Sequence, residues 1–249
     1  EFIIAWSDDG FGTFKYLPKS TKGFKFGTYM HAGFWKNHDV MNPYPETVEL
    51  VMNQMYTDYD ATHYMEVNGQ TFRPFMLNIE AYARSATIGT TFDAEAFYQE
   101  WTTRYFGAEA STKVIKALKK LHEAQFDHLG YVEFLWHIKN MQAYLADKPV
   151  TRQGRTDFTA TRKDIMGYIA DNPIRLSHLS QAKALAQQAQ QNTLNPVFFN
   201  DHVALPIQLL EDLLQYKAAL IRLVELKNAI MDGKHVDQQQ ITHWLTQGE

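Results

Sequence analysis

The sequence predicts an α/β region followed by an all-α region, and three observations lead to this fold class. Short apolar runs typical of strands alternate with helical patterns as far as about residue 90. Beyond that point amphipathic helical patterns replace the strand patterns for the rest of the 249 residues. The hydrophobic fraction of 45% allows one large core or two modest ones. We therefore expect a strand-containing region over residues 1–90 and a helical region over residues 91–249.

The first predicted strand opens the chain. Residues 2–6 form an unbroken apolar run, which is the pattern of a parallel strand buried on both faces. A polar loop containing glycine follows and carries two adjacent carboxylates, Asp8 and Asp9. Because the strand has no lead-in, we expect its sheet partners to lie upstream of Glu1.

Two more strands and two helices complete the first region. Residues 24–31 and 63–67 are the predicted strands, and Asn68 closes the last of them. Between these strands Pro45 opens a helix, since proline is favoured in the first helical turn. Strand, loop and helix in this order form a βα repeat, and three strands cannot close a barrel by themselves.

Both helices of this first region have apolar residues at spacings of three and four, and we expect that face of each helix to be buried. In the first helix these residues are Val48, Val51, Met52, Met55 and Tyr59. In the second helix they are Met76, Ile79, Tyr82 and Ala83.

The helical region contains six or so amphipathic helices with short connections, which predicts an antiparallel bundle. Asp93 stands where an N-cap residue belongs, and Gly107 stands where the same helix should stop. The longest helical pattern covers residues 205–231, and Gly233 ends it.

Polar side chains of catalytic type follow all three predicted strands. Asp8 and Asp9 come after the first strand, His31 ends the second, and Asn68 follows the third. The carboxyl ends of parallel strands meet at one edge, where active sites of (β/α) barrels lie. The three positions together favour a functional site more than any one of them, since each residue also has an ordinary structural reading in a turn or a core.

The two adjacent carboxylates are not expected to share one role. They point in different directions, so one should face the pocket while the other holds a loop or a basic side chain such as Lys15 or Arg73. A carboxylic acid that protonates a glycosidic oxygen needs a raised pKa, which apolar walls or a second carboxylate supply. The aromatic side chains predicted to form such walls and a sugar-stacking surface are Trp6, Phe11, Tyr29 and Trp35.

Composition excludes several other classes of function. The net charge is -4 and no basic stripe is present, so we expect no nucleic-acid partner. The chain has no cysteine, which removes disulfides and thiolate chemistry. No apolar run approaches the roughly 20 residues of a membrane span. The histidines lack metal-ligand spacing and no phosphate-binding loop appears, so we expect neither a metal nor a cofactor.

Four stretches of the sequence resemble glycoside hydrolase family 115, the xylan α-1,2-glucuronidases. Residues 3–12 resemble the acidic-Asp-Asn-aromatic-Gly stretch of that family, and residues 26–31 its Gly-rich Tyr-Tyr-His segment. Residues 66–74 are similar to its Val-Asn-x-Gly-Asp-x-Lys-Pro stretch. Residues 101–107 match a Trp-x-x-Arg-x-Phe-Gly pattern that opens the helical domain behind the barrel.

The resemblance implies the C-terminal strands of a TIM-type (β/α)8 barrel, followed by a helical domain. It also implies an inverting hydrolase acting on uronic-acid side chains of plant polysaccharides, secreted or periplasmic. Asp8 matches the acidic position, as general acid or base, and Asp9 the Asp that follows, orienting Asp8 or a water. His31 and Asn68 match pocket residues that would bind the sugar beside Trp6, Tyr29 and Trp35.

The sequence departs from the family pattern in ways that bear on which sugar is bound. Phe24-Lys25 replaces a Gly-Gly pair, and Met30 stands in place of the second Tyr. Thr71 replaces an Asp, and Asp8 stands where the family more often has Glu. A related sugar or a marine polysaccharide is therefore an alternative to glucuronate.

Two other functions remain open at this point. One is a non-catalytic carbohydrate-binding or scaffold protein, and the other is a hexosaminidase-like barrel hydrolase, whose chemistry also uses a carboxylate pair after a strand. An inverting reaction needs two carboxyl groups about 6.5–9.5 Å apart, which adjacent residues do not ensure. We therefore expect the second carboxylate upstream, and little or no activity from these 249 residues alone. The sequence does not predict an oligomeric state.

Overall fold

The structure is a computed structural model, and its first region contains a small parallel sheet. The three strands are β1 (Ile3–Ser7), β2 (Lys25–His31) and β3 (Met65–Asn68). The residues that the structure describes are 2–10, 12–33, 40–69, 72–88, 91–127, 130–131, 134–150, 159–170 and 172–247.

The strands lie in the order β1-β2-β3, and both neighbouring pairs are parallel. Ser7 is in register with Tyr29, and His31 is in register with Asn68. The carboxyl ends of the three strands therefore lie next to one another at one edge of the sheet. This places the residues that follow the strands within reach of each other.

Ten α-helices are described. The first five are α1 (Pro45–Tyr59), α2 (Met76–Ile88), α3 (Ala94–Phe106), α4 (Ala108–Gln125) and α5 (Phe134–Leu145). The others are α6 (Arg162–Ala170), α7 (Asn172–Gln190), α8 (Pro196–Phe199), α9 (Leu205–Met231) and α10 (Gln238–Gln247). A π-helical segment, Asn200–Ala204, joins α8 to α9. Two very short strands, β4 (Phe126–Asp127) and β5 (Gly130–Tyr131), form an antiparallel pair.

The chain forms two compact units. The first unit comprises residues 1–122 and 181–207, and the second comprises residues 123–180 and 208–249. All three strands of the parallel sheet lie in the first unit.

One face of the sheet in the first unit packs against α1. Phe26 of β2 and Met55 of α1 are buried together, with Ile4 and Trp6 of β1 packed against them. The opposite face of β1 is exposed, and 46% of Ile3 is accessible to solvent. The prediction that β1 is buried on both faces is therefore wrong for this structure, because no described element covers that second face.

A second apolar cluster in the first unit joins residues that are far apart in sequence. The Trp101 ring of α3 lies 5.9 Å from the Phe198 ring of α8, between ring centroids. Phe198 stacks on Tyr105 at 4.4 Å with an angle of 14° between the ring planes. Residues 181–207 thus belong to the first unit through aromatic packing.

The second unit has its own core. Buried residues of α5, α6 and α9 pack together with Ala160, which precedes α6; those of the helices are Ile138, Met141, Ile165, Leu220, Ile221 and Val224. Lys227 of α9 donates to the carbonyls of Tyr144 and Leu145, at 2.7 and 3.3 Å. These carbonyls lie at the end of α5, where helix carbonyls lack partners within the helix, and the lysine supplements the Asp147 amide that also donates to the Tyr144 carbonyl.

The observed elements confirm much of the predicted order. The predicted longest helix coincides with α9, and Asp93 caps α3 by accepting a hydrogen bond from the Ala96 amide. The short β4–β5 pair was not predicted, nor was the turn of helix at α8. The described residues show a three-stranded parallel sheet with helices and then a mostly helical region, and the barrel and the antiparallel bundle stay predictions.

The predicted division after residue 90 separates strands from helices, whereas the two units are defined by compactness. That division also stays a prediction. None of the helices that the structure describes has the length and apolarity needed to span a membrane.

Candidate functional site

The loop after β1 is built around the side chain of Asp8. The Asp8 amide continues the sheet by donating to the Tyr29 carbonyl at 3.1 Å. The chain then turns through two glycines with positive φ, Gly10 at 90° and Gly12 at 74°, which a side chain would disfavour. The Gly12 amide donates to Asp8 Oδ2 at 2.9 Å and closes the loop. The loop thus directs the carboxylate back to the edge of the sheet.

The second oxygen of this carboxylate contacts a histidine on the neighbouring strand. Asp8 Oδ1 accepts a hydrogen bond from His31 Nδ1, and the Asp8 side chain is 0% exposed against 7% for His31. An ionised carboxylate can only accept, so the ring proton lies on Nδ1. Asp8 therefore fixes both the orientation and the tautomer of His31.

Asp9 has a different environment. Its Oδ1 accepts from the Thr13 amide at 3.3 Å, and its Oδ2 lies 3.8 Å from Lys15 Nζ. The side chain is 18% exposed. This confirms the expectation that one of the two carboxylates holds its loop and a nearby basic side chain.

Tyr29 and Asn68 extend the polar contacts across the sheet. Asn68 Nδ2 donates to the Tyr29 hydroxyl at 3.2 Å. The Tyr29 ring lies 4.9 Å from the His31 ring, between centroids. Asp8, Tyr29, His31 and Asn68 therefore form one connected set at the carboxyl edge of the sheet, which we call the strand-end group.

Two buried tyrosines lie beneath the strand-end group. The Tyr44 hydroxyl donates to the His31 carbonyl, and the Tyr44 and Tyr82 rings meet edge to face at 6.5 Å. Burial, and after it the negative charge of Asp8, raises the pKa of Tyr44. Burial above all raises the pKa of Tyr82 as well. Both phenols stay neutral across the physiological range, so Tyr44 remains a hydrogen-bond donor.

Asn78 of α2 fastens the connection between β2 and α1. Its Nδ2 donates to the carbonyls of Ala32 and Asn42, at 3.1 and 2.8 Å. Its Oδ1 accepts from the Tyr44 amide at 3.2 Å. Asn78 is fully buried, and losing its amide would leave three backbone groups without partners. Such a group costs about 1–3 kcal/mol when it is buried and unsatisfied.

The other predicted pocket residues lie elsewhere or cannot be placed. Trp6 packs against Phe26 with a ring distance of 5.8 Å, on the face that α1 covers, and its Nε1 donates to the Tyr16 carbonyl at 2.8 Å. Its predicted role in stacking on sugar stays a prediction. Trp35 and Phe11 lie outside the described residues.

The described residues contain no cluster of three or more His, Asp or Glu side chains that could hold a metal ion. A cleft of about 360 Å³ lies in the second unit, on α9 and α10. Its lining residues are Arg222, Glu225, Leu226, Gln240 and Trp244. None of them belongs to the strand-end group.

Sequence reasoning missed the contributions of Tyr44 and Asn78 to the site. Asn78 lies three residues after Phe75 and four before Tyr82, and all three are buried. A polar residue on the buried face of a helix is a signal that could have indicated a role, because buried polar groups need partners. Tyr44 carries no comparable signal in the sequence.

A comparison with models of protein families places the chain in a class. A family model described as glycosyl hydrolase family 115 matches residues 1–128, more than half of the chain. The chain belongs to glycosyl hydrolase family 115. A search of curated proteins gave no match.

One solved structure with a similar fold is described as a novel family GH115 4-O-methyl-α-glucuronidase, BtGH115A, with specificity for decorated arabinogalactans. The TM-score is 0.51 and the sequence identity is 14%. The alignment covers 99% of this chain and 31% of that chain. At this identity the likeness concerns the fold, and the chain spans about a third of the protein it matches.

Proposed function

We propose that this chain is part of an α-glucuronidase-like hydrolase that removes uronic-acid side chains from polysaccharides with inversion. The observation that carries the proposal is the strand-end group. In a chain of family 115, four polar side chains from three parallel strands contact one another at the carboxyl edge of the sheet. In (β/α) barrels this edge holds the active site, and the proposal includes such a barrel.

Within this proposal Asp8 acts through His31. The Asp8 carboxylate is fully buried, and both of its oxygens accept hydrogen bonds. It therefore keeps the His31 proton on Nδ1 and stabilises the imidazolium, as a carboxylate does beside a catalytic histidine. His31 then exchanges a proton with the reacting groups through Nε2. This refines the sequence prediction, in which Asp8 itself is the acid or base.

The remaining residues have binding roles in the proposal. Tyr29 and Asn68 offer a hydroxyl and an amide at the same edge, both suited to sugar hydroxyls. Asp9 is partly exposed and orients a water. Inversion needs two carboxyl groups about 6.5–9.5 Å apart. His31, oriented by Asp8, takes the role of one of them, and we propose that the carboxylate opposite it comes from a part of the protein outside these residues, which cover 31% of the solved relative.

The test is the substitution Asp8→Asn in the full-length protein, assayed on oligosaccharides that carry 4-O-methylglucuronate. We expect kcat to fall by about 10²–10⁴-fold, because His31 loses the carboxylate that orients it and a positioned proton-transfer group usually contributes that much. Asp58→Asn is the matched control, because Asp58 is an exposed carboxylate near the end of α1. A turnover by Asp8→Asn within about threefold of the unaltered protein would remove the acid–base role.

The stereochemistry of the product separates the remaining enzymatic alternatives. Proton NMR at early times shows which anomer of the uronic acid forms first. Inversion at an α-linked uronic acid gives the β anomer first, whereas retention gives the α anomer. Retention on the glucuronide would contradict the inverting mechanism, whereas cleavage of an N-acetylhexosaminide with retention would favour the hexosaminidase-like chemistry, because that substrate supplies its own acetamido nucleophile.

The full burial of Asp8 also favours a second reading, in which Asp8 and His31 form only a structural pair in a carbohydrate-binding protein. In that case Asp8→Asn would lower the free energy of unfolding, and an uncleaved oligosaccharide would bind as it does to the unaltered protein. Calorimetric binding measured beside the kinetic assay distinguishes the two functions.

A further inference from the structure

The end of β2 is held from two sides by buried donors. The Tyr44 hydroxyl donates to the His31 carbonyl, and Asn78 Nδ2 donates to the next carbonyl, that of Ala32, at 3.1 Å. The Ala32 amide donates in turn to the Asn68 carbonyl at 2.9 Å. Two successive carbonyls at the site therefore have fixed positions. The first of these carbonyls belongs to His31, whose ring contacts Asp8.

Asn78 also holds Tyr44 itself. Its Oδ1 accepts from the Tyr44 amide at 3.2 Å, while its second N–H donates to the Asn42 carbonyl at 2.8 Å. Asn42 is held from a third helix, since its Oδ1 lies 2.9 Å from His122 Nδ1. The amide of Asn78 thus reaches both backbone ends of the β2–α1 connection at once.

We propose that Asn78 is a positioning residue for His31, acting together with Tyr44 to keep Nδ1 of the imidazole on the Asp8 carboxylate. The consequence for turnover rests on the proposed function, whereas the geometry of the Asp8–His31 pair does not. Small displacements at a site have large effects on rate, because proton transfer requires close alignment.

The chemistry of the amide explains why asparagine suits this position. The two carbonyls need donors and the Tyr44 amide needs an acceptor, which sets the orientation of the side-chain amide. Aspartate has the same shape but only acceptors, so Asn78→Asp turns a carboxylate oxygen towards two carbonyl oxygens. This substitution changes the hydrogen bonds without changing the packing.

Two variants and one control test the proposal. Asn78→Asp removes both donations, and Tyr44→Phe removes only the hydroxyl that donates to the His31 carbonyl. Asn53→Asp is the control. Asn53 of α1 makes the same kind of clamp on Phe92, donating to its carbonyl at 3.0 Å and accepting from its amide at 2.8 Å.

The measurement is the NMR signal of the His31 Nδ1 proton in the full chain labelled with ¹⁵N-histidine, assigned by its loss in His31→Gln. A carboxylate acceptor gives this proton a low-field, slowly exchanging signal. We expect Asn78→Asp and Tyr44→Phe to shift or abolish the signal, and Asn53→Asp to leave it in place. We also expect Asn78→Asp to lower kcat by about 10–100-fold with a smaller change in KM.

An unchanged signal in a folded Asn78→Asp variant would overturn the proposal, whatever the result for Tyr44→Phe. If Asn78→Asp does not fold, Tyr44→Phe decides alone, because it removes a single hydroxyl, and an unchanged signal in it overturns the proposal. The signal does not depend on turnover. A shifted signal in a protein whose unaltered form cleaves no glucuronide would support the positioning role and remove the proposed function.

Discussion

The two compact units place their buried polar side chains differently. In the first unit Asp8, His31 and Asn78 gather around the carboxyl edge of the sheet and its connections. In the second unit Asn140 and Arg175 bind helix backbone, as when Asn140 donates to the Trp136 carbonyl at 2.7 Å. Convergent buried polar groups are typical of functional sites, whereas side chains bound to helix backbone satisfy the fold.

The difference has a physical origin in the secondary structure. Parallel strands end side by side, so strand pairing alone brings the residues that follow the strands close together. A helix satisfies its own backbone except at its ends, and polar side chains are needed mainly there. In the second unit Lys227 has this role at the end of α5. We therefore expect changes in the second unit to affect stability and changes at the strand-end group to affect turnover.

The largest loss of stability is expected for Trp101→Ala. Trp101 lies in the first unit, but it belongs to the aromatic cluster and not to the strand-end group. Trp101 is 1% exposed and contacts the rings of Tyr105, Phe106 and Phe198. Removing such a side chain costs about 3–5 kcal/mol, measured by urea unfolding. The His31 Nδ1 signal should persist in the folded fraction.

Trp101→Phe is the matched control for this variant. It keeps an aromatic ring and removes an indole N–H for which the described part of the chain offers no acceptor. We expect Trp101→Phe to lower the free energy of unfolding clearly less than Trp101→Ala does. An equal loss would show that the cluster depends on the indole itself and not on ring packing.

A smaller effect is expected in the second unit for Arg175→Met. Arg175 is fully buried and donates to the Ala124 carbonyl at 3.0 Å. Its removal leaves a buried carbonyl without this donor, and we expect a loss of about 1–3 kcal/mol in the free energy of unfolding. Well below the melting temperature, kcat/KM should not change.

Arg222→Met serves as the exposed counterpart, because Arg222 pairs with Glu225 at 2.7 Å on the surface of α9. Such a pair contributes about 0–1 kcal/mol. A fall in kcat/KM for Arg175→Met with an unchanged melting temperature would break the comparison, since it would give the second unit a part in the reaction.

The smallest expected effect is on the pH dependence of stability and concerns His202, in the first unit. Burial lowers the pKa of His202, while the nearby Asp201 charge acts in the opposite direction. The unfolded chain therefore binds a proton at higher pH than the folded chain, and stability falls as the pH drops below about 6.5. In His202→Asn this loss should be shallower between about pH 7 and 5. An identical slope in thermal unfolding would contradict the assignment.

The sequence predicted the apolar face of α1 well and that of α2 less well. Val48, Val51, Met52 and Met55 are all buried, as their spacing indicated. In α2 the prediction chose apolar positions, of which Tyr82 is buried but Ala83 is exposed. The buried face of α2 includes the polar residues Asn78 and Ser85. A prediction from hydrophobicity alone therefore placed the buried face at the wrong angle around the helix. Elements of two to four residues, such as β4 and α8, are too short to show a period.

For the candidate site, the sequence indicated which residues follow the strands but not which of them touch. That Asp8, His31 and Asn68 gather at one edge follows from parallel pairing, once the three runs are recognised as strands. The contact between Asp8 and His31 joins residues 23 positions apart and depends on the turn through Gly10 and Gly12.

By itself, the sequence determined the order of the three parallel strands and of the longer helices, the caps of α3, the length of α9 and the strand-end positions of the polar residues. These depend on local spacing and on the conformational preferences of single residues, which a linear pattern contains. Only the tertiary structure decided that Asp8 is buried in contact with His31, and that Asn78 and Tyr44 donate to the carbonyls at the end of β2. The reason is that burial and hydrogen-bond partners depend on which distant segments pack together.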